Sequence, residues 1–179
     1  MSTWSVRRTG DNRIISWNGK PIHYRINWQH FSDQQRLVIR QAIEDVCPRV
    51  GSGNTNDGQT TKKPASGQDV WLEEQGATDL FVYAQGENWS GPPGAQAWSD
   101  QHWIGDEYKG AIIIFNANWF NQGYPPEVFD FEKLAYHEMG HVVGLQHPTS
   151  TVQVMSLTPM DLPWRAGDLD GFAALRGAH

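Results

Sequence analysis

Residues His137–His147 read HEMGHVVGLQH, and they restrict the fold more than any other stretch of the chain. The pattern around them is helical: Phe131, Leu134, Ala135, Met139 and Val142 recur at three- and four-residue spacings, and Asp130 stands where an N-cap belongs. On such a helix, positions four apart lie one above the other, so His137 and His141 share a face. Gly144 can end the helix in a left-handed conformation, which lets His147 fold back toward the first two histidines.

Two imidazoles one turn apart suit two ligands of one metal ion. A catalytic zinc takes three protein ligands and keeps one position open for water, so His137, His141 and His147 form the expected ligand set. Glu138 follows the first histidine and can lean toward the open position without binding. Zinc lowers the pKa of water from about 15.7 to near 7, and a carboxylate beside that water can take its proton and pass it to a leaving amine. The constellation points to a hydrolase with Glu138 as general base. A structural zinc would close with four protein ligands and favour cysteine, of which the chain has one, Cys47. Cys47 is read as a small buried hydrophobe at a helix end. His23, His30, His102 and His179 are read as surface or satisfied core residues.

The 179 residues are enough for a single domain, residues 1–179, with a real core. A net charge of −6 and no run of Lys and Arg argue against a nucleic acid partner. No apolar stretch approaches a membrane span, so no membrane partner is expected, and MSTWSVRRTG lacks the apolar centre of a secretory signal.

KPIHYRINWQ alternates Ile22, Tyr24 and Ile26 with polar neighbours and reads as a strand. FSDQQRLVIRQAIEDVC opens with a capping box, Ser32 and Gln35, and continues as an amphipathic helix. Gly51 to Gln68 is polar with no apolar periodicity and reads as a long loop with nothing to bury. Its NTNDG lacks the acidic ligands of an EF-hand, so calcium has no support here. Strands are expected around VWLEEQ and TDLFVYAQG, then a Gly/Pro-rich passage broken only by a short strand at AQAWS. AIIIFN, Ala111 to Asn116, reads as a buried central strand, and DLDGFAALRG as a last helix. Trp89, Trp98 and Trp103 fall in one loop-rich stretch; core filling is the default reading, an aromatic-lined groove the alternative.

HExxHxxGxxH followed by a methionine, here Met155 in VQVMSL, is similar to the metzincin metallopeptidases. Leu157 stands where two metzincin branches carry a tyrosine ligand, and the chain most resembles the matrixins. IHYRI plus a helix, ATDLFVYA, GPPGAQAWS and GDLDGFAALRG extend the similarity. The resemblance implies an α/β fold, a twisted, mostly parallel five-stranded sheet with three helices, and one catalytic zinc with Met155 on a tight turn beneath it. It implies an extracellular or secreted protein, although no signal is visible. Trp98 replaces a histidine that in many relatives binds a second, structural zinc, and the family's calcium sites do not map onto this chain. Many relatives carry consecutive acids in the closing helix that anchor the mature N-terminus; here Gly167 takes the first position and Asp168 the second.

The same resemblance lays an extended peptide along the edge strand near Ala95, Gln96, Ala97, Trp98 and Ser99, main chain to main chain. Lys133, one turn before His137, takes the floor of the pocket beyond the cleaved bond, and Leu157, Thr158, Pro159 and Met160 its outer wall. A pocket of limited depth, or one accepting an acidic or polar tip, is expected; the alternative is that Lys133 is a solvated lysine. The partner is thus a protein or peptide substrate, and the chain is expected to be a monomer. Three readings stand: a zinc endopeptidase, a peptidase of bacterial cell-wall peptides, and a zinc-stabilised binding module that has lost catalysis. Glu138 argues against the last, which has no need of a base.

Overall fold

The computed structural model describes residues 4–120, 122, 130–148, 154–156 and 164–178. Its centre is a sheet of β1 (Ile22–Asn27), β2 (Asn54–Thr60), β3 (Leu80–Gln85), β4 (Ala97–Ile104) and β5 (Glu107–Asn116), in the order β2-β1-β3-β5-β4. All neighbours are parallel except β4, which runs antiparallel to β5 and forms an edge. The fold is the mixed α/β arrangement with a five-stranded, mostly parallel sheet that the resemblance implies.

Both faces of the sheet are covered, so its central strands must be apolar on both sides. From β5, Ala111, Ile113 and Phe115 enter the larger cluster, while Ile112 and Ile114 enter a smaller one behind the sheet. That division explains the unbroken AIIIF run. The larger face carries α1 (Asp33–Arg49), α4 (Phe131–Val143) and α5 (Ala166–Arg176); the smaller face carries α2 (Gly67–Glu74). A short helix α3 (Ala117–Phe120) follows β5.

The capping box of α1 forms as expected: the Ser32 hydroxyl accepts from Gln35 N, and the Gln35 side chain accepts from Ser32 N. Its buried residues, Ile39, Ala42, Ile43, Val46 and Cys47, line one face. Phe131 stacks on Phe115 with ring centroids 4.7 Å apart, and Phe31 meets Phe115 edge-on at 5.6 Å, which fixes the start of α4 against the end of β5. Trp164 packs edge-on against Phe172 and Tyr136 and donates its indole N–H to Asp45 at 3.1 Å, tying α5, α4 and α1 together.

Three expectations from the sequence are corrected. The polar stretch Gly51 to Gln68 is not one loop: Asn54–Thr60 is β2, paired in parallel with β1. Strand pairing uses the main chain, and on this outermost strand most side chains stay exposed, so no apolar signal marks it. VWLEEQ is not a strand but most of α2. The Ser66 hydroxyl caps that helix by accepting from Asp69 N, and Val70 buries its inner face, while Leu72 remains exposed. Finally, the region after AQAWS is regular: β4 runs to Ile104 and β5 starts at Glu107, joined by a tight turn with Gly105 at positive φ. The tryptophans of this region line no single groove. Trp89 and Trp98 pack on the smaller cluster, and Trp103 lies at the far end of β4 under the Arg7 guanidinium.

No described helix is long and apolar enough to cross a membrane.

Candidate metal centre

Helix α4 starts where Asp130 accepts hydrogen bonds from Glu132 N and Lys133 N, at 3.0 and 3.1 Å. It ends in a Schellman turn: Gly144, at φ 114°, donates to His141 O, and Leu145 donates to Gly140 O, both at 2.9 Å. A side chain at Gly144 would also press on Leu175, the Tyr108 hydroxyl and Ile15 O. The reversal directs Leu145, Gln146 and His147 back along the helix. The N-terminal segment holds it there, with Arg7 N donating to Gly144 O and Gln146 N donating to Ser5 O.

The result is a convergence of imidazoles. The His147 Nε2 lies 3.2 Å from His137 Nε2 and 3.0 Å from His141 Nε2. Zinc–nitrogen bonds of about 2.0–2.1 Å at tetrahedral angles set edges of roughly 3.4 Å, so the donor set is close to the size zinc requires. The tautomers fit too. His137 Nδ1 donates to Val154 O at 2.7 Å and His141 Nδ1 to Leu145 O at 2.8 Å, which leaves each Nε2 lone pair directed inward. Burial lowers all three rings, pushing His137 down to about 4, His141 well below its usual range and the more exposed His147 in the same direction, which favours the neutral, ligating form.

Glu138 is 5% exposed, and burial pushes its carboxyl up to about 7, with the Ser99 side chain acting against the rise. Beneath the helix lies Met155, 1% exposed, with its sulfur against Gly140; a Cβ on that glycine would collide with it. The Met155 segment is fastened from α5. Asp168, 2% exposed, accepts from Val154 N at 3.0 Å, Met155 N at 3.3 Å and Arg165 N at 3.1 Å. Val154 therefore links Asp168, through its N–H, to His137, through its carbonyl. Apart from the local Arg165–Asp168 bond at the start of α5, these supporting contacts are not visible in sequence spacing, because they join segments distant in the chain.

Among the other expected site residues, Lys133 Nζ lies 3.6 Å from the Asp130 carboxylate, on the same first turn of α4. Ala95 and Gln96 lead into β4, where Asn116 bonds both: its side chain donates to Ala95 O and its N–H to Gln96 O. Ala97 is buried on the α4 side, while the Trp98 ring packs on the opposite face of the sheet. Thr158, Pro159 and Met160 lie outside the described residues.

The family model described as Matrixin matches residues 76–165, half of the chain, and spans the three histidines and Met155. The chain belongs to the matrixin family. Matrixins are zinc metallopeptidases, and His137, His141 and His147 of this matrixin form a cluster that could hold a metal ion. Strands β1 and β2 and helices α1, α2 and α5 fall outside the matched region. No curated protein matches this matrixin.

Proposed function

We propose that this matrixin is a zinc-dependent endopeptidase, with His137, His141 and His147 as ligands and Glu138 as general base. The observation that carries the reading is the convergence of three Nε2 atoms, with a buried glutamate next to the first histidine in the helix. When bound, zinc supplies Lewis acidity that brings the pKa of water from about 15.7 toward 7. Glu138 then accepts the water proton and returns it to the departing amine. Val154 O and Leu145 O keep His137 and His141 in their ligating tautomers. Met155 provides an apolar floor that prevents α4 from sagging under the site. The outer edge of β4, which pairs with no further strand among the described residues, offers main-chain groups to an extended peptide. Lys133 is assigned to the floor of the adjoining pocket, and Thr158, Pro159 and Met160 to its wall.

The test is metal content by mass spectrometry together with cleavage of a quenched peptide library by native protein and Glu138→Ala. About one zinc per chain is expected, with cleavage falling at least about 100-fold in the variant. Zinc without cleavage by either protein would overturn the endopeptidase reading in favour of a binding module.

A further inference from the structure

Helix α4 and strand β4 run the same way past the histidines. The start of α4 stacks on Phe115, which pairs with Ala97 at the beginning of β4. Its end lies by Tyr108, which pairs with Trp103 near the end of β4; a Cβ on Gly144 would be 3.2 Å from the Tyr108 hydroxyl. The proposed function assigns Lys133, at the start of α4, to the pocket for the residue just beyond the cleaved bond. Residues before that bond then run along β4 toward Trp103. Lys133 and Gly144 are about 16 Å apart at 1.5 Å per helical residue, the length of about five extended peptide residues. Trp103 thus stands level with roughly the third to fifth residue before the cleaved bond.

Trp103 is 38% exposed, and its ring meets the edge of Tyr108 on the α4 side of the sheet. The Arg7 guanidinium sits over that ring, 5.0 Å from its centroid. Arg7 is clamped through its main chain: its N–H donates to Gly144 O at 2.9 Å and its carbonyl accepts from Ile15 N at 3.1 Å. The side chain therefore leaves from a fixed point beside the end of α4. Stacking uses the face of the guanidinium and keeps its N–H groups, which lie in the plane, for another partner. No carboxylate among the described residues pairs with them, and the two acids of the β4–β5 turn, Asp106 and Glu107, are engaged by Arg13, Lys20 and Lys109.

We infer that Arg7, stacked on Trp103, determines specificity on the amino side of the cleft and selects an acidic side chain roughly three to five residues before the cleaved bond. The inference rests on the endopeptidase reading and deepens it. A peptide along the outer edge of β4 turns alternate side chains toward α4, so at least one of those positions faces the guanidinium. The planar fork takes a carboxylate through two N–H groups, and the ring beneath holds the fork in place before substrate arrives, which cuts the entropy cost of binding. The chain as a whole carries −6 and repels acidic peptides, so an acidic preference at one position is a local contact and not an effect of net charge.

The experiment uses zinc-loaded native protein and a peptide that it cleaves from the quenched library. Each of the third, fourth and fifth residues before the cleaved bond is set in turn to Glu, Gln or Lys. At one position Glu should exceed Gln about tenfold in kcat/KM, mostly through KM, and the advantage should shrink as salt is raised. Arg7→Ala should remove the advantage, Arg7→Glu should turn it into a preference for Lys, and Trp103→Leu should reduce it. Each preference is a ratio of two peptides on one preparation, so a loss of folded protein in a variant does not imitate the result. Equal rates for Glu and Gln at all three positions, or the same preference in Arg7→Ala as in native protein, would overturn the inference and leave the endopeptidase reading intact. Absence of cleavage by native, zinc-loaded protein would overturn both.

Discussion

Asp168→Asn changes one atom in the closing helix, yet it should weaken a metal site on another helix. The native carboxylate is buried and accepts from three backbone N–H groups, those of Val154, Met155 and Arg165. Two of these, Val154 and Arg165, share Oδ2, so an asparagine can keep them only by placing its oxygen there. Its NH2 then faces the Met155 N–H, donor against donor. Loss of charge from the surviving bonds costs about 0.5–1 kcal/mol each, and the orphaned N–H adds about 1–3 kcal/mol, for a total of about 3 kcal/mol. At roughly 2–4 °C per kcal/mol for a chain of this size, Tm should fall by about 10 °C. The effect reaches the histidines because Val154 O holds His137 Nδ1 at 2.7 Å; loss of a ligand's outer hydrogen-bond partner costs about 10–100-fold in metal affinity. The assay is Tm by calorimetry plus zinc affinity by chelator competition, with Asp170→Asn, exposed on the same helix, as control. If Asp168→Asn matches that control in both measurements, the proposed link from α5 through Val154 to His137 is wrong.

Three further outcomes are expected. In the metal-free protein, His137, lowered to about 4, and His141 and His147, also lowered, make stability full above about pH 6.5 and lost as pH falls toward 4. Glu138, raised to about 7, acts in the opposite sense, favouring the fold below about pH 4.5 and losing that contribution as pH rises through 7; Glu138→Gln should therefore steepen the acid fall in Tm between about pH 7 and 5, and parallel curves would contradict this. A Cβ on Gly67 would lie 2.7 Å from both Gly110 O and His102 N, so Gly67→Ala must lift α2 from the sheet and cost about 1–3 kcal/mol by thermal melting; Gly10→Ala, with nothing within 4 Å, should be neutral. Cys47 is fully buried, with its thiol pushed up to about 12 by burial, so a thiol reagent at about pH 8 should label it only at the rate of unfolding; rapid labelling of the native protein would place the α1 face elsewhere.

The proposed ligand histidines were legible because their geometry is local. Helical periodicity puts His137 and His141 on one face, and a glycine able to adopt φ 114° turns the chain so that His147 meets them. The capping box of α1 and the two-sided burial of β5 were legible for the same reason: hydrogen-bond reach and apolar spacing over a few residues determine both. β2 was not, because an edge strand is made by main-chain pairing that leaves its side chains in water. Nor was α2, where Val70, Trp71 and Leu72 satisfy a strand pattern as well as a helical one. The Ser66 cap and the close approach of Gly67 to Gly110 decide for helix, and the second of these exists only once β5 is in place.

The supports of the site belong wholly to the tertiary structure. Asp168 and Val154, and Val154 and His137, are brought together by the packing of α4 and α5, and neither pair is signalled by residue type or spacing; Met155 was legible through the family resemblance, its contact with Gly140 only in the fold. The sequence by itself determined which imidazoles could converge, since a helix turn and a glycine reversal act over eleven residues. Only the folded chain decided what holds those imidazoles in place, because buried polar groups take their partners from whatever segment the core packs against them.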